Sequence, residues 1–282
     1  MTDEALPKGQ YDEFCRFLEE ESGIVLGENK HYLVTSRLNR LSKELSYDKL
    51  GAMLDALKVG TDKVLKERVI DAMTTNETSW FRDSYPYEIL TKELLPFYAK
   101  QNTSALRIWS AACSTGQEAY SISMIISEYK AANPGALNGF IEIVGTDISP
   151  TVLSLARQAV YEEINIVRGL SEERRDRYME KKDDRWALKQ AIKNPVRFAP
   201  LNLFNTYSLL GKFDIIFCRN VLIYFSSESK TDILTRMAEI LNPGGYLILG
   251  GSESPTGYCS AYEMVRYPQG VIYRLKQDWR SK

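Results

Sequence analysis

The chain has 282 residues, of which 44% are hydrophobic and 26% charged, with a formal net charge of -1. That length suits two domains with packed cores, and the balance is that of an ordinary soluble protein. The near-zero charge removes any global pull toward nucleic acid or anionic lipid. No apolar run is long enough to span a bilayer and the polar start is not a signal peptide, so a cytoplasmic protein without membrane insertion is expected.

The first expected element is a helix over residues 10–21, where Tyr11, Phe14, Phe17 and Leu18 share one face. "SGIVLG" breaks it. A second helix runs through "KHYLVTSRLNRLSKEL", with Leu33, Val34, Leu38, Leu41 and Leu45 on one side at about 100° per residue. Arg37, Arg40 and Lys43 fall on an arc of roughly 120° beside that stripe, and Asn29–Lys43 contains no acid. This basic face reads either as a solvated surface or as a dock for an acidic helix or nucleic acid. His31 is the only histidine, which excludes a multi-histidine metal site; it reads as a solvated helix-start residue rather than a base. Helical patterning continues at 47–58 and 61–72, so residues 1–75 form an all-helical unit. Residues 76–104 read as a linker, but "MTTNETSWFRD" is unusual for one because it carries adjacent aromatics and an arginine.

From residue 105 the rhythm changes to strands alternating with helices. "ALRIWSAAC" is a buried strand and "GQEAYSISMIISEYKAA" its helix. "FIEIVGTDIS" is a second strand, followed by a helix with Ser149 as N-cap and Pro150 at its first position. "KFDIIFCRNVLIYF" is a further strand, and "KTDILTRMAEILNPGGYLILGGSE" a helix, glycine turn and strand. The pattern predicts a mostly parallel α/β sheet covered on both faces over residues 105–282. Residues 161–198 interrupt it as a charged insertion, read as a helix plus short strands. Cys15, Cys113, Cys218 and Cys259 are too scattered for a disulfide framework or a zinc site, and no metal is expected.

Ligands of such sheets bind beyond the C-terminal strand ends. "SAACSTGQEAYS" offers small residues and Gly116 for close backbone approach, but a single glycine fails the dinucleotide fingerprint. Glu118 in the first helical turn would repel a pyrophosphate and suit a cation. Asp147 ends the second strand, where its two oxygens suit ribose hydroxyls. Arg219 and Asn220 follow a fully apolar strand and need partners there. Tyr224 lies close by in sequence, and Asn202 in "PLNLF" suits an adenine edge. Together these suit a ligand with adenosine at one end and a sulfonium at the other: S-adenosylmethionine fits, whereas NAD and ATP do not.

"TTNETSWFRD", "RIWSAACSTGQEAYSISM", "GTDIS", "FCRNVLIYF" and "LNPGGYLILGGSES", in this order, resemble the CheR-type chemotaxis receptor methyltransferases from about residue 10 to 275. The resemblance implies an all-α N-terminal domain, a linker segment reaching into the donor site, and a Rossmann-like methyltransferase domain with a small β-subdomain. It also implies methyl transfer from S-adenosylmethionine to glutamate carboxylates of methyl-accepting chemotaxis receptors, leaving S-adenosylhomocysteine. By motif match, Asn76, Thr78, Arg82, Glu118, Asp147, Asn202, Leu203, Arg219 and Asn220 are the expected donor contacts. Trp80 stands where a phenylalanine is usual. Arg82 and Tyr224 are expected to orient the substrate carboxylate, which is already ionised at neutral pH and needs no general base. Arg37, Arg40 and Lys43 are expected to dock the receptors' acidic helical bundle.

One departure concerns the insertion's tip. Some members carry a glycine there and bind a receptor C-terminal pentapeptide by strand addition. Here Lys181, Lys182, Asp183 and Asp184 stand instead, so independence from that tether is expected. A nucleic-acid methyltransferase is disfavoured by the net charge and by "RNVLIYF" at the strand end where a base-binding motif would sit. A non-catalytic adapter and a nicotinamide oxidoreductase are weaker alternatives. A monomer is the default.

Overall fold

The computed structural model describes residues 6–279. The chain divides into two compact units, Met1–Thr75 with Tyr224–Ser229, and Asn76–Ile223 with Lys230–Lys282.

Among the described residues, the N-terminal part of the first unit is built of α1 (Lys8–Ser22), α2 (His31–Glu44), α3 (Leu50–Val59) and α4 (Lys63–Met73). Gly23 and Gly60 end α1 and α3 in the left-handed conformation that glycine adopts without strain. The buried stripe of α2 is narrower than expected. Val34, Leu38 and Leu41 are buried, Leu45 is half-buried, and Leu33 is exposed, because only one i, i+4, i+7 row turns inward. The basic arc is divided as well. Arg37 donates from Nη1 to the carbonyls of Met73 and Thr74 at 2.9 and 3.0 Å, which closes the C-terminus of α4. Arg40 instead pairs with Glu44 on its own helix at 2.9 Å. His31 is half-buried, not solvated: its Nε2 lies 2.7 Å from the Leu6 carbonyl and its ring 4.7 Å from that of Tyr11.

Residues 76–104 belong to the second unit and are largely helical. Tyr85–Lys100 runs as α5 (Tyr85–Ile89), a π turn (Leu90–Leu94) and α6 (Leu95–Lys100), and it buries Ile89, Leu90, Leu94 and Leu95 completely. Then come β1 (Ala105–Ala111), α7 (Gln117–Ala132), β2 (Phe140–Asp147) and α8 (Pro150–Gln158), with Ser149 Oγ capping α8 by accepting the Val152 N–H at 3.2 Å. The insertion contains β3 (Val160–Glu162), α9 (Glu163–Ile166), α10 (Glu172–Tyr178), β4 (Met179–Lys182), β5 (Arg185–Leu188) and α11 (Gln190–Lys193). Its strands form a separate antiparallel sheet in the order β3-β5-β4, and Asp183 turns the β4–β5 hairpin with a φ of 52°. Val196–Phe198, at the end of the stretch read as insertion, already belongs to β6 (Val196–Pro200) of the main sheet.

The chain continues through β7 (Phe213–Cys218), α12 (Ser227–Ile240), β8 (Leu241–Leu249), β9 (Tyr262–Tyr267) and β10 (Gly270–Leu275). The main sheet has the order β6-β2-β1-β7-β8-β10-β9; β6 to β8 are parallel, and β10 is antiparallel to both of its neighbours. Strand order reverses between β1 and β7, which opens the ligand crevice of a doubly wound sheet. The register levels the strand ends there: Ala111 pairs with Thr146 and Cys218, Cys218 with Leu249, and Asp147 with Pro200. Loops starting at residues 112, 148, 201, 219 and 250 therefore leave the sheet at one rim. Among the described residues no helix is long and apolar enough to cross a membrane.

Candidate active site

The loop after β1 is built from backbone that few side chains tolerate. Ala112 and Ser114 have φ of 54° and 50°, and Gly116 has 91°. A Cβ on Gly116 would also come within 3.1 Å of Ala156 and of the Phe198 ring, so both conformation and space require glycine. The loop is tied down on three sides. Tyr161 Oη donates to the Thr115 carbonyl at 2.8 Å, Ser114 Oγ donates to the Asn76 carbonyl at 2.8 Å, and the Ser114 N–H donates to Asp147 Oδ2 at 2.8 Å. Asp147 is buried, and its other oxygen accepts the Ser149 N–H at 3.0 Å. One carboxylate thus fixes the β1 loop against the start of α8.

Arg219 is the centre of charge. Its side chain is 1% exposed. Nη1 donates to Glu118 Oε2 at 3.0 Å, and Nη2 donates to Asp83 Oδ2 and to the Arg82 carbonyl, each at 2.7 Å. Ser110 Oγ donates to the second oxygen of Glu118 at 2.7 Å. Burial works against the guanidinium's charge, but Glu118, Tyr87 and Asp83 outweigh it and hold the pKa above the ordinary arginine value. Two carboxylates around one guanidinium leave a net negative charge.

The "TTNETSWFRD" segment reaches this cluster through a strained turn: Phe81, Asp83 and Ser84 all have positive φ. Its aromatics anchor it. Trp80 is buried edge-on to Tyr161 at 5.0 Å, and its backbone N–H donates to the Arg168 carbonyl at 3.1 Å. The Phe81 ring lies 4.0 Å beneath the Arg174 guanidinium, which also grips Glu128 with two bonds of 2.8 and 2.9 Å. Arg82 is half-buried and donates Nη1 to the Glu77 carbonyl at 3.1 Å; Thr78 is half-buried.

The chain matches the family model of the CheR methyltransferase all-alpha domain over residues 9–74 and that of the CheR methyltransferase S-adenosylmethionine-binding domain over residues 76–271. The chain belongs to the CheR family. Chemotaxis protein methyltransferase Cher2 of Pseudomonas putida is 49% identical over 268 residues, 94% of this chain and 98% of that protein. Chemotaxis protein methyltransferase 1 of Pseudomonas aeruginosa is 50% identical over 94% and 97%. The chemotaxis protein methyltransferase of Escherichia coli is 32% identical over 89% and 86%. This CheR-family chain is an S-adenosylmethionine-dependent chemotaxis methyltransferase with a Rossmann-like domain behind an all-α domain.

The donor set fits such a ligand. The Arg219 cluster carries the net negative charge that favours a sulfonium, and Asn220 Oδ1 is buried without a partner, a free acceptor at the strand rim. Among the described residues no group of three or more His, Cys, Asp or Glu side chains is placed to hold a metal ion.

Of the residues singled out from the sequence, Asp147 ends β2, Arg219 and Asn220 follow β7, Glu118 sits in the first turn of α7, and Asn76 and Arg82 lie on the segment bonded to them. Asn202 and Leu203 follow β6, where the Leu201 N–H donates to the Asp147 carbonyl at 2.9 Å; Asn202 Oδ1 accepts the Phe204 N–H and Leu203 is buried. Tyr224 is grouped with the first unit, where its carbonyl accepts the Val25 N–H at 2.9 Å. The sequence reading missed Asp83 and Glu253. The only local sign of Asp83 is an acid beside Arg82. Glu253 is an acid four residues beyond the end of β8, whereas Asp147 is the last residue of its strand, so strand-end position alone does not point to Glu253.

Proposed function

We propose that this chain esterifies glutamate side chains of chemoreceptors, using Asp147, Glu118, Asn220, Asn202 and Leu203 to hold the donor. The reading is carried by the identity of 49–50% with chemotaxis protein methyltransferases over nearly the whole chain. Bound S-adenosylmethionine would supply an electrophilic methyl group on a positive sulfur. Asp147, whose two oxygens accept the Ser114 and Ser149 N–H groups at the end of β2, serves the ribose hydroxyls. Glu118, balanced by Arg219, serves the methionine-side polar atoms. Asn202 and Leu203 flank the adenine, and Asn76 and Thr78 close the segment side.

A glutamate oxygen attacks with its own lone pair. The C–O bond forms as the C–S bond breaks, leaving a methyl ester and neutral S-adenosylhomocysteine. No proton moves, which agrees with the single histidine being engaged by the Leu6 carbonyl. Arg82 orients the carboxylate; positioning rather than acid–base chemistry is its role. The partner is the acidic helical bundle of a cytoplasmic receptor region, met by Arg40 and Lys43 through charge complementarity, with Arg37 serving chiefly to close α4. The enzyme acts as a cytoplasmic monomer. The tight β4–β5 turn with its Asp183–Asp184 tip supports action without the receptor's C-terminal tether.

The test uses a purified receptor cytoplasmic fragment with and without its terminal pentapeptide, and donor labelled in the methyl group. Both fragments should take up label at rates within about twofold, released as methanol by mild base, which cleaves esters and spares methylamines. Base-stable label would remove the glutamate reading. Label confined to the tethered fragment would remove the independence from the tether.

A further inference from the structure

At the end of β7 the chain turns sharply, and Asn220 takes a φ of 57°. Asparagine tolerates this left-handed conformation better than most non-glycine residues, and the surroundings hold it there. They do so through one side chain. Glu253 Oε2 accepts the N–H of Asn220 at 2.7 Å and of Gly250 at 2.8 Å, while Oε1 accepts those of Val221 at 3.0 Å and Ile223 at 3.3 Å. The Glu253 N–H in turn donates to the Gly250 carbonyl at 2.9 Å. Four backbone donors from the loops after β7 and β8 thus converge on a single carboxylate. These loops leave paired strands, Cys218 against Leu249, so Glu253 ties together the two strand ends beside the switch point.

The tie places one side chain in particular. A Cβ on Gly250 would stand 2.9 Å from Asn220 Nδ2 and 2.7 Å from Glu253 Oε2, so the Asn220 carboxamide packs against a position that only glycine leaves open. The same carboxamide has a buried Oδ1 with no partner. A buried acceptor left unpaired is costly unless a ligand donor meets it.

We propose that Glu253 is a positioning residue of the donor site: it holds the 220–223 turn so that Asn220 presents Oδ1 to a hydrogen-bond donor of S-adenosylmethionine. This rests on the reading of Asn220 as a donor contact. Glutamine at 253 has the same shape but one oxygen, and it sets an NH2 group against two of the four N–H donors.

The experiment is calorimetric titration of the full chain with S-adenosylhomocysteine for wild type, Glu253→Gln, Asn220→Ala and the double variant, with steady-state methyl transfer alongside. Each single change should weaken binding about tenfold, the worth of one good hydrogen bond. The double variant should bind no more weakly than Asn220→Ala alone, because Glu253 acts through Asn220. The donor KM of Glu253→Gln should rise by a similar factor while kcat at saturating donor stays within about twofold. Wild-type affinity in Glu253→Gln, or losses that multiply in the double variant, would overturn the proposal. Wild-type affinity in Asn220→Ala would instead remove the reading beneath it. Should Glu253→Gln not fold, Glu253→Asp keeps both acceptors and the charge; if that also fails to fold, Glu253 is a framework residue and the proposal falls.

Discussion

Arg219 shows what a single buried charge demands. Its guanidinium is enclosed, and three acceptors from two distant segments meet it. Replacing it with leucine would leave Glu118, itself largely buried, without its cation. Uncompensated buried charge costs about 3–5 kcal/mol, so Arg219→Leu should lower the unfolding free energy by about 3 kcal/mol in urea titration. Adding Glu118→Gln should restore at least half of that loss, because it removes the stranded charge. No recovery would mean that Arg219 stabilises through packing alone. The sequence announced the need for partners at Arg219 but not their identity. Asp83 lies 136 residues away, and no local pattern couples the two.

At the scale of elements, charge also ties strands together. Glu142 on β2 is gripped by Arg107 of β1 at 2.7 Å and by Arg197 of β6 at 2.5 Å. Burial opposes its ionisation, but hydrogen bonds and the charges of both arginines outweigh this, and its pKa lies below the ordinary value. A depressed carboxylate stabilises the fold above its unfolded pKa and loses that stabilisation as pH falls through its folded one. Glu142→Gln should therefore lower stability by about 1–2 kcal/mol at neutral pH, and the gap from wild type should close as pH falls below about 4. A gap independent of pH would show that shape, not charge, matters there. In the helical unit, Arg37→Met should cost about 1–2 kcal/mol by opening the end of α4, read as a lowered Tm, whereas Arg40→Met should leave Tm nearly unchanged. Periodicity placed these arginines on one arc. It does not tell which of them finds carbonyls on a neighbouring helix.

For the whole molecule, the alternation of short apolar strands with helices was legible because buried parallel strands such as "FDIIFC" carry their burial in composition. So was the Ser149–Pro150 start of α8, a signal written in adjacent residues. The helical run Tyr85–Lys100 was not. Residues 76–104 read as a linker, yet Pro86 and Pro96 each sit at the start of a helical stretch, where a missing N–H costs little, and a π turn joins the two. The rim residues were found wherever an acid, amide or arginine ended a strand. Glu253 escaped because its role is read only from the four backbone N–H groups that converge on it.

The central claim is that the rim around Asp147 holds the methyl donor. Its most direct test is isothermal titration of the folded chain and of Asp147→Ala with S-adenosylhomocysteine, a melting curve confirming that the variant is folded. Hydrogen bonds to a charged acceptor are worth about 1.5–3 kcal/mol, so wild type should bind saturably and the variant about 10- to 100-fold more weakly. No binding by folded wild type, or equal binding by the two proteins, would contradict the assignment of the site.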